Sequence, residues 1–158
     1  PPYVALIGAV IGQIIRYTQA KYARSKLYEL CGNNFTINDI EQITQSQWSQ
    51  IGIGPNKTEI IKTINQYIRT NNINLRNIYD IKKLKSVKGI GEWTINTTIL
   101  TSFMNWDTFP HSDLFIRKKI QKLYAMKKLP TIAKTKEISI LWKPHRSIVA
   151  WYLWRWFD

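Results

Sequence analysis

The chain has 158 residues, with 23 Lys+Arg against 10 Asp+Glu and a formal charge of +13. An apolar fraction of 44% excludes a disordered chain, and the length suits one folded domain with a real core. The single cysteine, Cys31, excludes a disulfide framework, a Cys-rich zinc module and an iron–sulfur cluster on four thiolates.

The predicted elements are helices joined by short loops, with no run of alternating strands. Pro1 and Pro2 suit a helix start, and Tyr3 to Gly12 is apolar on nearly every side, as a buried helix is. A second helix is expected from Tyr17 to Leu30, with Tyr22, Leu27 and Leu30 inward and Gly32 as its stop. Asn38 or Asp39 can cap a short helix through Ile43. Asn56 to Thr70 carries Ile60, Ile61, Ile64 and Ile68 on one face and ends at Asn71 and Asn72. Asn77 to Leu84 is a further short helix, and Thr94 to Phe103 follows a Gly-x-Gly turn. Ser112 or Asp113 opens a helix through Leu123. Thr131 to Trp142 and Pro144 to Phe157 close the chain, with Pro144 at a helix start. The reading is all-α, a single helical domain over residues 1–158, with eight to ten helices. The chain opens on Pro1 without a Met, as a processed, trimmed or partial chain does.

The charge asks for a polyanion: nucleic acid or an anionic membrane face. The longest apolar run, Val4 to Gly12, is too short to span a bilayer and lacks the basic flank of a signal peptide. The most specific feature is Leu84-Lys-Ser-Val87-Lys88-Gly89-Ile90-Gly91-Glu92-Trp93-Thr94-Ile95. Glycines there permit a positive φ and close backbone approach, and the turn leaves free N–H groups at the next helix start. Those groups and the helix dipole make an anion site, with Lys88 beside it. The pattern resembles a helix–hairpin–helix, over about residues 77–103, which grips a DNA phosphate without reading sequence. The bland alternative is an ordinary turn between helices, and Gly52-Ile53-Gly54 shows how easily the short pattern recurs. Asp113 follows Gly91 by 22 residues, ahead of Arg117, Lys118 and Lys119. A carboxylate repels DNA, so its place there suits chemistry; it also suits a plain helix cap, and the two roles are compatible.

Together the hairpin and Asp113 resemble the helix–hairpin–helix DNA glycosylase superfamily. Ile11-Gly12-Gln13-Ile14-Ile15 is similar to the family's Leu-Gly-Gln segment, and Ile51 to Ile61 to its glycine-then-Lys helix start. Trp142-Lys143-Pro144-His145-Arg146-Ser147, followed by Tyr152-Leu153-Trp154, resembles the Trp-x-Pro-x-Arg-Ser motif of the alkylation-repair branch, that of 3-methyladenine DNA glycosylase II. The resemblance implies that fold, without the N-terminal α/β domain of the bacterial relative. It implies a catalytic Asp113, and a DNA-backbone contact through Lys88, Gly89, Ile90, Gly91 and Thr94. It implies a base pocket using Trp93 and Trp154, and an apolar wedge at Ile14. Trp93 stands where bifunctional relatives carry a nucleophilic lysine, so the implied enzyme is monofunctional. No cofactor is implied beyond a monovalent cation that the hairpin carbonyls could hold. The implied partner is duplex DNA with damaged bases and not a membrane, the implied state a monomer, and the implied place inside the cell with its DNA. Arg16, Thr97, His111 and Ser112 depart from residues common in relatives, which bears on substrate range.

The implied activity is base-excision repair of alkylated purines such as 3-methyladenine. Such a base is cationic, so an indole face favours it by about 0.5–2 kcal/mol and it leaves without a general acid. Two alternatives keep the fold: a deaminated or oxidised base as substrate, or a non-catalytic DNA-binding module. Among the other aromatics, Trp48, Trp106 and Trp142 are expected in the core, and Tyr152 and Trp156 in core or surface packing. His111 and His145 are expected in loops or at the surface, and Cys31 as a small buried hydrophobe.

Overall fold

The computed structural model describes residues 1–103 and 105–156. Among these the chain is helical throughout, with ten α-helices and no strand, as the patterning predicts. It divides into two compact units, Pro1–Ser102 and Phe103–Asp158.

The first unit is built round α1 (Pro2–Gly12). Leu6, Ile7, Val10 and Ile11 are wholly buried there. An unbroken apolar sequence fits a helix covered on all sides: α2 (Tyr17–Cys31), α5 (Pro55–Thr70) and α7 (Glu92–Ser102) all pack on it. Helix α2 buries Ala20, Ala23 and Leu27, whereas the expected inward residues Tyr22 and Leu30 are exposed. Small side chains face α1, which lets the helices approach closely; Arg24 lies over Gly8 and donates to its carbonyl at 3.4 Å. Gly32 ends the helix at φ +75°, as expected.

Helix α3 (Ile37–Glu41) is capped by Thr36, not by Asn38 or Asp39. Asp39 instead reaches back to the Thr36 N–H at 2.7 Å, closing a capping box. Helix α4 (Gln45–Gln50), absent from the sequence expectation, is held by a second capping box, Thr44 with Gln47, and by buried Trp48. Helix α5 buries Ile61, Ile64 and Ile68 as its period predicts, and Asn65 accepts from the Tyr3 hydroxyl at 2.7 Å. Helix α6 (Ile78–Lys83) runs into a 3-10 turn over Leu84–Ser86, and the hairpin leads to α7.

The second unit holds α8 (Leu114–Leu123), α9 (Ile132–Ser139) and α10 (Arg146–Arg155), with a 3-10 turn over Ile140–Trp142. Helix α10 packs on α8. It begins at Arg146, after a cis Lys143–Pro144 bond, and not at Pro144. The His145 N–H closes a turn onto the Trp142 carbonyl at 2.7 Å across that proline, so His145 becomes the N-cap. The expected end of this helix at Phe157 lies outside the described residues.

Candidate active site

The hairpin in the first unit is anchored from below by Leu84, Val87 and Ile90, all buried. Val87 N–H donates to the Leu84 carbonyl at 2.9 Å and Ile90 N–H to the Val87 carbonyl at 3.0 Å, folding the turn back on itself. Of the two hairpin glycines only Gly89 uses a positive φ, +90°; Gly91 does not, and it faces open space. Gly89 is constrained twice, since a Cβ there would lie 2.7 Å from Cδ1 of Ile60 on α5. The first N–H groups of α7 lack carbonyls of their own helix to bond, and Lys85 and Lys88 are exposed beside them. Lys83 is exposed too, but its ammonium is paired with Asp80 at 2.7 Å.

Two of the expected DNA-contact residues turn inward. Ile90 is buried, which leaves only its backbone for a phosphate. Thr94 is buried as well, and its hydroxyl accepts from Nε2 of Gln13 at 2.8 Å. The same Nε2 donates to the Gly89 carbonyl at 3.0 Å. Gln13 therefore ties the loop after α1 to the hairpin. Ile14 comes next, in the left-handed region at φ +58°, with its side chain fully exposed. A β-branched residue is strained in that region, and an apolar one on full display gains nothing from the core. Trp93, half-buried on α7, lies against the end of α1: its Cη2 is 3.5 Å from where a Cβ on Gly12 would sit. Thr97 keeps its buried hydroxyl without a hydrogen-bond partner.

In the second unit Asp113 is the N-cap of α8, so the cap reading of the sequence holds. It is 7% exposed. Its Oδ1 accepts the Ile116 N–H at 2.9 Å, and its own N–H bonds the Pro110 carbonyl at 2.9 Å. Oδ2 accepts from the indole Nε1–H of Trp154 on α10 at 3.2 Å. Backbone and side-chain donors thus both hold the carboxylate. The Trp154 bond is not legible in the sequence, since 41 residues separate the partners and only the packing of α8 on α10 joins them. Trp151 stands edge-on to Trp154 with centroids 5.9 Å apart, and the Arg155 guanidinium lies 4.2 Å over the Trp151 ring.

The start of α10 is fastened to the loop ahead of Asp113. Arg146 makes a two-pronged bond to Asp107, Nε to Oδ1 at 2.6 Å and Nη2 to Oδ2 at 2.8 Å, and Nη2 also reaches the Asp107 carbonyl. The guanidinium holds the Asp107 carboxyl below the usual carboxylate range. Ser147 accepts the Thr108 N–H at 3.0 Å, and its own N–H bonds the Trp106 carbonyl at 2.9 Å. Asp107 therefore has a structural partner, and the Arg-Ser pair of the C-terminal motif works as a fastening.

Trp48 is core, as expected. Trp106 is not: its carbonyl is the group that serves α10, and the residue is 58% exposed. Trp142 is half-buried against Phe109, centroids 5.4 Å apart. Cys31 is half-buried, and burial pushes its thiol up. His111 and His145 sit in loops as expected, with His111 Nε2 3.0 Å from Ser139 Oγ. Among the described residues no group of three His, Cys, Asp or Glu could hold a metal, and no helix is long and apolar enough to cross a membrane.

An all-helical chain with a glycine hairpin, followed by a carboxylate at a helix start, has the fold of the helix–hairpin–helix DNA glycosylases, and it is similar to proteins of that superfamily along nearly its whole length. It is 29% identical to DNA-3-methyladenine glycosylase 1 of Schizosaccharomyces pombe, over 98% of this chain and 72% of that protein. It is 25% identical to DNA-3-methyladenine glycosylase of Bacillus subtilis, over 97% of this chain and 56% of that one. The solved structure of the S. pombe 3-methyladenine DNA glycosylase in complex with abasic DNA superposes with a TM-score of 0.86 at 26% identity, covering 98% of this chain and 79% of that one. No protein-family model matches the chain.

Proposed function

We propose that the chain removes alkylated purines, 3-methyladenine among them, from duplex DNA by hydrolysis of the N-glycosidic bond, with no lyase step. The observation that carries this reading is Asp113, fixed at the start of α8 by the Ile116 N–H and the Trp154 indole. The relatives with 3-methyladenine in their names support the substrate class.

The target atom is hidden in a duplex, so the base must first leave the stack. The hairpin's N–H groups, Lys88 and the open backbone at Gly91 suit a phosphate contact, and exposed Ile14 suits the gap that the base leaves. As the C1′–N bond breaks, its electron pair goes to the cationic base, which departs neutral. Positive charge grows on the sugar, and the Asp113 carboxylate stabilises it. Water then adds to C1′ and gives its proton to that carboxylate. Trp154 serves by donating to Oδ2, and its indole face suits a cationic base. Trp93 at the hairpin position of the lyase lysine cannot form a Schiff base, which supports a monofunctional enzyme. The Val87 carbonyl, accepting from Ile90 N–H, and the Gly89 carbonyl, accepting from Gln13, each keep one lone pair that a monovalent cation in the hairpin could use.

The test is release of bases from alkylated duplex DNA, with Asp113→Asn in parallel and the alkali step omitted in one sample. Wild-type release of alkylpurines without strand nicks, lost in the variant, is the expected outcome. Salt-sensitive DNA binding with no release would sink the alkylpurine reading.

A further inference from the structure

Lys57 is the third residue of α5, and its ammonium does not point to solvent. Nζ donates to the Ile11 carbonyl at 2.6 Å, across 46 residues of sequence. Ile11 sits in the last turn of α1, whose final carbonyls have no partner within their own helix. A cation there meets the negative end of the helix dipole. Lys57 is half-buried, and burial lowers its pKa, so its charge has given up water for that carbonyl. An ammonium is strongly hydrated when free, so the Ile11 carbonyl here takes the place of water around the charge.

The exposed loop begins two residues after Ile11. Gln13 is bonded to the hairpin carbonyl of Gly89 and to Thr94, and Ile14 projects in a strained conformation. The turn is therefore held from two sides, by α5 through Lys57 and by the hairpin through Gln13. We propose that Lys57 is a positioning residue for base extrusion, which keeps the end of α1 fixed so that Ile14 stays projected. Lys57 touches neither the base nor the sugar in this scheme and acts only through Ile14. The inference rests on the excision reading above.

The test is a double-mutant cycle read by single-turnover release of an N-alkylated purine. Wild type, Lys57→Met, Ile14→Ala and the double variant are each given the lesion in a fully paired duplex, and the same lesion unpaired in a single-nucleotide bulge. Extrusion is cheap in the bulge. Lys57→Met is expected to slow the paired substrate roughly tenfold, about the loss of one charge-assisted hydrogen bond, and to leave the bulge nearly unchanged. In the Ile14→Ala background it should add nothing. Lys57→Arg, which can still reach the carbonyl, should restore most of the paired rate; it also keeps the inference testable if Lys57→Met does not fold. Equal slowing on both substrates, additive slowing with Ile14→Ala, or an unslowed paired reaction would each overturn the positioning role while leaving the excision reading intact. Failure of wild type to release the base from either substrate would instead overturn the excision reading, and the inference with it.

Discussion

At Asp113 one side chain has two tasks, and substitutions can separate them. Asparagine caps a helix about as well as aspartate; alanine does not. Asp113→Asn should therefore keep the cap bond to Ile116 but lose the Trp154 bond, with a modest loss of thermal stability, while base release falls by roughly 10²–10³, the usual scale for losing one electrostatic stabiliser of a transition state. Asp113→Ala should lose release and also about 1 kcal/mol of stability, read by thermal unfolding. Gly89→Ala tests the hairpin. Both the φ of +90° and the 2.7 Å approach to Ile60 oppose a Cβ, so a cost of about 1–3 kcal/mol is expected, with weaker binding to undamaged duplex. Gly91→Ala, with neither constraint from the protein, should fold normally. Gly89 and Asp113 are legible in the sequence because turn chemistry and capping are local. Lys57 and the Trp154 bond are not: each joins residues more than forty positions apart, and nothing in a lysine near a helix start says that it turns inward.

Among the elements, α5 is the most readable, since Ile61, Ile64 and Ile68 repeat at helical spacing over a polar background. Helix α4 has no such signal, because Gln-Ser-Gln-Trp-Ser-Gln has one apolar residue and no period; two capping residues and buried Trp48 decide it. On the inner face of α2, apolar size points to Tyr22 and Leu30, whereas close packing on α1 selects Ala20 and Ala23. The fastening of α10 makes a prediction about pH. The Asp107 carboxyl lies lower in the folded chain than in the unfolded one, chiefly through its hydrogen bond to Arg146. Its contribution is therefore complete above the unfolded value, about 4, and is lost as the pH falls through the folded value. Asp39 and Asp80 shift the same way, through the Thr36 backbone N–H and the Lys83 ammonium. Thermal unfolding of wild type and Asp107→Asn should differ most near neutral pH, and the gap should close below about pH 4.

Over the whole molecule, a charge of +13 should make duplex binding steeply dependent on salt. With 6–10 phosphate contacts, affinity is expected to fall by roughly 10³–10⁵ between 50 and 200 mM salt, as read by fluorescence anisotropy. A flat dependence would mean that the lysines are merely solvated. The double duty of Asp113 reaches further, into how related sequences are read. A descendant that had lost base excision would still need a cap for α8, so purifying selection on folding alone would keep an acidic residue or its amide there. Retention of this aspartate in a homologue is accordingly weak evidence of an active enzyme, whereas an asparagine marks a chain that has kept its fold after giving up its chemistry.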